Sequence, residues 1–352
     1  MYNVAIIGCG RISHKIAEGV AKNNDRMKLV VLCDPIEQKM FETEKTYNKK
    51  MESEVSLLKY KDYKEILKQN KIDIAIISTE SGYHEEIGLY FLENGVNLII
   101  EKPLAMSIEG AQKLVDTAKK NNLKLAASHQ NRFNYPIQLL KKAIKENRLG
   151  KIFNGMARIL WTRDDNYYLQ APWRGTWALD GGTLMNQCIH NIDLINWMMD
   201  DEIDTVYAQT SNYIRNIEAE DYGVILIRYK SGKIATIEGS AIIYPKNLEE
   251  TLTVTGEKGT VVIGGMAVNK INTWRVEGDN EQEYLSIDCG DPNSVYGYGH
   301  EALYKDFVDA LDENREPLVN GKAGLEAVKI ILAAYKSQKT GLPIKFSEFR
   351  SE

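Results

Sequence analysis

Two patterns in succession predict an α/β protein of two domains. Up to about Gly150, short near-continuous apolar runs alternate with amphipathic helical stretches; beyond it, strand-like runs follow one another with polar turns between them. At 352 residues the chain also exceeds what one hydrophobic core usually organises. The expected division is 1–130 for the first domain and 131–352 for the second, with the C-terminal helix packing back toward the first.

In the first part the strand NVAIIG ends in glycine, and RISHKIAEGVAKN follows with Ile12, Ile16, Ala17 and Val20 at helical spacing. KLVVLCD reads as a second buried strand, and a polar helical stretch runs from Ile36 to Lys49. YKEILKQN then precedes the strand DIAIIST, EIGLYFLENG the strand VNLII, and IEGAQKLVDTAKKNN the strand LKLAASHQ; PIQLLKKAIKENRLG closes the series. Strands this apolar, alternating with helices, form a parallel sheet covered on both faces. In the second part IFNGMARILW, TVYAQTSNYI, YGVILIRY, KIATIEGSAIIY, ETLTVTG and GTVVIGG are strands, and turn signals such as SGK and GEKG indicate antiparallel pairing. One long helical stretch, roughly Gly182 to Met199, interrupts them, and HEALYKDFVDAL and AGLEAVKIILAAYKSQ end the chain.

The formal net charge is -5 and no long basic run occurs, which argues against nucleic acid and anionic membrane as partners. Cys9, Cys33, Cys188 and Cys289 form no Cys-x-x-Cys pair, and His14, His84, His129, His190 and His300 lack ligand spacing, so no metal is expected. The chain opens directly into a strand without a charged leader, and no apolar run approaches the ~20 residues of a membrane span. A cytoplasmic protein with reduced cysteines is the expectation.

Gly8-Cys9-Gly10-Arg11-Ile12-Ser13 lies between a predicted strand and a predicted helix, the context that separates a dinucleotide-binding fingerprint from a chance glycine pair. A missing side chain at Gly10 lets pyrophosphate reach the backbone, where helix N–H groups and the helix dipole hold it. Ser13 stands where a third Gly or Ala is usual, a departure expected to loosen helix–strand packing slightly. Asp34 ends the second strand; its carboxylate would accept from ribose hydroxyls and repel a 2′-phosphate, favouring NAD over NADP. The bland alternative is a glycine turn of another α/β fold, with Asp34 capping the next helix. Strand, helix and acid in register favour a Rossmann domain.

Glu101-Lys102-Pro103 follows a strand at its carboxyl end, where open α/β sheets place their sites, and Lys102 there can hydrogen-bond a substrate hydroxyl. A surface lysine is the alternative. Ser78 and Thr79 end the preceding strand and, with His84, can line the nicotinamide ribose, or Ser81 simply caps the helix near His84. Gln130, ending LKLAASHQ, completes the cofactor set of Gly8, Gly10, Arg11, Ile12, Asp34, Ser78, Thr79, His84, Glu101 and Lys102. The run from Trp173 to Asp193 is the richest in chemistry. Asn186 and His190 are four apart and would share a helix face, while Asn191 and Asp193 point elsewhere. A histidine can take the proton of an alcohol while hydride leaves the same carbon; equally, His190 can be a hydrogen-bonded residue of a core helix carrying Ile189, Ile192 and Leu194.

These motifs, in order and spacing, resemble the glucose–fructose oxidoreductase/inositol dehydrogenase/MocA family over nearly the whole chain. The resemblance implies a Rossmann NAD-binding domain followed by an α/β domain with a large open-faced, mostly antiparallel sheet, through which homodimers or homotetramers form. It also implies oxidation or reduction of a sugar or cyclitol carbon, with Lys102 and His190 beside the nicotinamide. Many members carry aspartate where this chain has Asn186, which can orient a substrate but cannot carry a proton away. The run around LMNQCIHNIDL is most similar to the UDP-N-acetylglucosaminuronate 3-dehydrogenases, which implies a nucleotide-sugar substrate on the way to surface polysaccharides and 2-oxoglutarate as a second substrate. A uronate and a diphosphate call for cations, and Arg158, Arg163 and Arg174 are available, with Tyr167, Tyr168, Trp173 and Trp177 to stack on the sugar or uracil; the alternative for these aromatics is a place in the core or an interface. Another sugar or cyclitol dehydrogenase, or a ketosugar reductase, is the first rival. A dinucleotide sensor is the second, although a sensor needs neither Lys102 nor His190.

Overall fold

The computed structural model describes residues 1–290 and 297–350. By its contacts the chain divides into two compact units, Met1–His129 with His300–Leu325, and Gln130–Gly299 with Glu326–Glu352.

The first unit runs β1 (Tyr2–Ile7), α1 (Ser13–Lys22), β2 (Met27–Cys33), α2 (Glu37–Met51), β3 (Leu58–Tyr60), α3 (Ile66–Gln69), β4 (Ile74–Ile77), α4 (His84–Glu93), β5 (Asn97–Ile100), α5 (Ile108–Lys120) and β6 (Leu125–Ala127). Its six strands are all parallel, in the order β3-β2-β1-β4-β5-β6. The order reverses direction between β2-β1 and β4, which is the topological switch point of a dinucleotide-binding sheet. Every side chain of β4 is buried, as expected of a central strand with helices on both faces. The segment 300–325 belongs to this unit for specific reasons. Tyr304 is fully buried with its ring against Gly19 of α1, Asn320 bridges to Ala126, and Arg26 pairs with Asp309 and Asp312.

The second unit contains α6 (Tyr135–Lys145), β7 (Ile152–Leu160), α7 (Asp165–Leu169), α8 (Thr183–Asn186), α9 (Ile189–Met199), β8 (Ile203–Ser211), β9 (Tyr222–Tyr229), β10 (Ile234–Ser240), β11 (Glu249–Gly256), β12 (Gly259–Gly264), β13 (Lys270–Val276) and α10 (Glu281–Leu285). Helices α11 (Gly299–Asp312) and α12 (Gly321–Thr340) and the short β14 (Ile344–Lys345) end the chain. The eight strands order as β13-β12-β11-β7-β10-β9-β8-β14. All neighbours are antiparallel except β7 and β10, which are parallel. The strand KINTWRV, which became β13, carried no separate expectation: its single apolar positions give a weak alternation.

One face of this sheet is covered by α9, which approaches closely because Gly155 and Gly239 leave room for Ile195 and Cys188. The opposite face carries a row that crosses the strands in register: Tyr207, Leu226, Thr236, Met156, Thr253 and Val262. Met156 and Leu226 stay 45% and 43% exposed, which is what an open-faced sheet means physically. No helix among the described residues is long and apolar enough to cross a membrane.

Candidate functional site

Gly8 closes β1 with φ +91°, and a Cβ there would lie 2.6 Å from the backbone of Ser78. Both facts require glycine, because L residues are strained at that φ and β4 leaves no space. Gly10 differs. A Cβ built on it meets nothing within 4 Å, so its missing side chain leaves room on the open side of the turn. Helix α1 starts beyond it without any side-chain cap, so no side chain competes with a ligand for its N-terminus. Arg11 is exposed beside this opening and Ile12 is half-buried. This arrangement fits a dinucleotide pyrophosphate.

Ser13 does not loosen the packing as expected. It is fully buried, and its hydroxyl donates to Gly10 O at 2.7 Å and meets Thr43 Oγ1 at 2.8 Å, tying the turn to α2. Asp34 accepts from the Cys9 N–H at 2.9 Å and the Ile36 N–H at 2.8 Å, so it braces the glycine turn as well as the chain entering α2. Each carboxylate oxygen keeps a second acceptor position for a ribose hydroxyl. Helix α2 itself has no side-chain cap, so Asp34 does not serve as one.

Ser78 donates to Gly8 O at 2.7 Å, and the Thr79 hydroxyl to Glu80 O at 3.3 Å. Helix α4 has no side-chain cap, so Ser81 does not serve as one. His84 is 1% exposed, with Nδ1 2.8 Å from Pro103 O and Nε2 3.2 Å from Thr79 O. It clamps two loops at the carboxyl edge of the sheet, and burial pulls its pKa below the usual histidine value. Its ring is committed to the protein, so any help it lends a cofactor comes through the loops. Lys102 is half-buried immediately after β5. Its neighbour Glu101 is buried, with Oε1 3.6 Å from His300 Nε2. Burial alone would push the Glu101 carboxyl up, but His300 and Lys102 outweigh it and hold it below the ordinary glutamate value.

In the second unit the expected single helix from Gly182 to Met199 is two helices. Thr183 O accepts from both Gln187 N and Cys188 N, at 3.0 and 2.9 Å, so the turn widens and α9 starts on a new axis. Asn186 ends α8 and His190 lies in the first turn of α9; the i, i+4 argument of one continuous helix therefore does not apply to them. Asn186 donates its amide to Asp180 Oδ1, while Asp180 Oδ2 accepts from Gly175 N at 2.7 Å. Gly181 takes φ +77°, and a Cβ on Gly182 would strike the Glu220 carboxylate. That carboxylate accepts from Leu184 N at 2.8 Å and Tyr335 Oη at 3.0 Å, capping α8 from the loop before β9. His190 is half-buried. Asp193, three residues on, is gripped by Arg132 through two bonds of 2.7 and 2.6 Å, both side chains buried, which holds α9 in place. Gln130 is buried in the 3₁₀ turn Gln130–Phe133, with Oε1 lacking a hydrogen-bond partner.

The three arginines expected at an anionic substrate part company. Arg158 is held on the open sheet face between Glu238 and Glu249, both at 3.0 Å, so its charge is already balanced. Arg163 and Arg174 instead lie over the Tyr167 ring, 5.3 and 4.1 Å from its centroid, with Trp173 5.5 Å from Arg174. Tyr168 packs edge-on against Tyr167, and burial pushes its hydroxyl pKa up. Sequence reasoning missed Asp180, Glu220 and His300. Asp180 sat inside the quoted run and its Asp-Gly-Gly context was a usable signal; Glu220 and His300 carried none.

A fingerprint glycine turn on a 3-2-1-4-5-6 parallel sheet, followed by a second unit built on a large mixed sheet, defines a dinucleotide-dependent oxidoreductase of two-unit architecture. Residues 2–129 match the oxidoreductase family, NAD-binding Rossmann fold, and residues 141–346 match the oxidoreductase family, C-terminal alpha/beta domain. The chain belongs to this Gfo/Idh/MocA family, and it is an NAD-dependent dehydrogenase of the class acting on CH–OH groups. Among solved structures it is similar to the WlbA dehydrogenase of Bordetella pertussis in complex with NADH and UDP-GlcNAcA, at 32% identity over 98% of both chains with TM-score 0.85. The Chromobacterium violaceum WlbA complex with the same two ligands gives 32% identity over 98% of this chain and 95% of that one, with TM-score 0.86. A myo-inositol 2-dehydrogenase of Thermotoga maritima is 24% identical over 98% of each chain.

Proposed function

We propose that the chain oxidises carbon 3 of UDP-N-acetylglucosaminuronate to the 3-keto sugar, in the making of surface-polysaccharide nucleotide sugars. The observation that carries this reading is 32% identity, over 98% of both chains, with a dehydrogenase whose structure holds NADH and UDP-GlcNAcA. The match to the inositol dehydrogenase is more distant, at 24%.

Bound NAD supplies the hydride acceptor. His190 takes the hydroxyl proton as the carbon–hydrogen bond breaks and the carbonyl forms. Lys102 donates a hydrogen bond to the reacting oxygen, and Asn186, held by Asp180, orients it. Arg163, Arg174, Tyr168 and Trp173 contact the anionic nucleotide sugar, and 2-oxoglutarate takes hydride back from NADH. Arg158 has no place in this reading, because its two carboxylate partners already satisfy it. A homo-oligomer paired through the open sheet face completes it; the exposed Met156 and Leu226 support that, and light scattering would report the size.

The test is a substrate panel followed at the NADH absorbance band. UDP-N-acetylglucosaminuronate, UDP-N-acetylglucosamine and myo-inositol would be compared with and without 2-oxoglutarate. Turnover of the uronate, lost by at least two orders of magnitude in Lys102→Ala and His190→Ala, is expected. Oxidation of myo-inositol with no turnover of the uronate would instead establish the cyclitol reading.

A further inference from the structure

Several buried or half-buried arginines in this protein are neutralised. Arg132 faces Asp193, Arg148 faces Asp279, Arg158 faces Glu238 and Glu249, and Arg26 faces Asp309. Arg163 and Arg174 are half-buried too, yet among the described residues neither has a carboxylate within the 4.0 Å of an ion pair. Their guanidinium groups lie on aromatic faces instead: Arg163 over Trp161 at 4.7 Å and Tyr167 at 5.3 Å, Arg174 over Tyr167 at 4.1 Å. Each spends one N–H on a backbone carbonyl, Arg163 on Thr162 O at 2.7 Å and Arg174 on Tyr167 O at 2.8 Å.

A third cation reaches the same helix from a distant loop. Arg215 is only 13% exposed, and among the described residues its one carboxylate contact is Asp165 of α7 at 3.3 Å, itself 73% exposed and therefore well solvated. The loop that presents Arg215 is built rigidly. The fully buried Asp221 accepts from the N–H groups of Tyr213, Ile214 and Arg215 at 2.9, 2.9 and 3.0 Å. The Nε atoms of Arg174 and Arg215 are both buried and without a hydrogen-bond partner. Asp164, Asp180 and Glu250 are the other acids nearby: Asp164 is engaged with Tyr167 N, Asp180 with Gly175 N and Asn186, and burial pushes the Glu250 carboxyl up to about 8, so it is largely uncharged at neutral pH.

Cations held together, partly desolvated and short of counter-charge, cost stability unless an anion completes them. Two buried N–H donors without acceptors ask for oxygen atoms. Guanidinium forks match planar oxyanions in both charge and geometry. We propose that Arg163, Arg174 and Arg215, around α7, form a subsite for an oxyanion of the substrate. This rests on the reading of the substrate as a UDP-linked sugar acid, and adds Arg215 to the residues that select it. The oxyanion has two sources in that molecule, the uronate carboxylate and the diphosphate.

The experiment is equilibrium titration of the NADH-loaded protein, which cannot oxidise the ligand, with UDP-N-acetylglucosaminuronate, UDP-N-acetylglucosamine and UDP. It would be run on wild type, Arg174→Gln, Arg215→Gln, the double variant and Arg215→Lys. NAD affinity and thermal midpoint serve as folding controls. Loss of a charge-assisted bond predicts uronate binding weakened on the order of 10- to 100-fold in each single Gln variant, with partial retention in Arg215→Lys. Weakening confined to the uronate assigns the subsite to the carboxylate; equal weakening of all three ligands assigns it to the diphosphate. Wild-type affinity for all three in the folded double variant would overturn the subsite while leaving the proposed reaction intact. A wild-type protein that binds none of them would overturn both.

Discussion

Glu101 Oε1 and His300 Nε2 face each other at 3.6 Å, both residues buried, one beside Lys102 and the other almost two hundred positions later at the start of α11. The pair explains why a carboxylate can remain charged in the interior directly behind the proposed catalytic lysine. His300 and Lys102 hold the Glu101 pKa below its ordinary value of 4.5 against the opposing effect of burial. The stabilisation is therefore present above about pH 4.5 and lost as pH falls through the lower folded value. Glu101→Gln should lower stability at pH 7 and should flatten the acid side of the stability curve. Urea midpoints at pH 7 and pH 4 read both effects; an unchanged midpoint at pH 7 would show that the pair contributes nothing.

The two fingerprint glycines should fail differently. Gly8→Ala puts a Cβ against Ser78 at a φ of +91°, so it should cost stability of roughly 1–3 kcal/mol. Gly10→Ala meets nothing within 4 Å, so its thermal midpoint should match wild type while NAD affinity drops on the order of tenfold or more. Calorimetric titration with NAD beside thermal melts separates the two outcomes.

Asn186→Asp would set a second carboxylate against Asp180. Like charges in contact raise one pKa of the pair. The variant should lose activity near pH 8 and recover it as pH falls and the pair takes up a proton. Asp180→Asn removes the acceptor of both Asn186 and Gly175 N, and should reduce kcat/KM on the order of 10- to 100-fold. A pH profile of Asn186→Asp parallel to wild type would contradict the contact.

Two buried glutamates should make the protein less stable as pH rises. Burial pushes Glu220 up to about 7 and Glu250 up to about 8, from an ordinary 4.5. Between 4.5 and those values the folded chain holds protons that the unfolded chain has released, so stability falls with rising pH, by roughly 1.4 kcal/mol per unit per group at most. Glu250→Gln should leave the thermal midpoint near pH 5 unchanged and raise it at pH 8.5. The same midpoint gain at both pH values would show that the wild-type effect is not titration of Glu250.

Sequence alone determined what is local or periodic. Apolar runs and helical spacings set the parallel sheet, the glycine turn announced the dinucleotide, and Asp34 stood at the end of its strand, because these signals depend on neighbours within a few residues. The antiparallel character of the second sheet was legible in its alternation and turns, but the parallel pairing of β7 with β10 was not. Tertiary structure alone decided the rest. The break at Thr183 divided one predicted helix into two. Glu238 and Glu249 paired with Arg158, and Asp221 brought Arg215 beside α7. Glu220 closed on Gly182 and His300 on Glu101. Each of these turns on a charge or a hydrogen bond meeting its partner across a long stretch of chain, and no local pattern encodes which distant group will balance a buried charge.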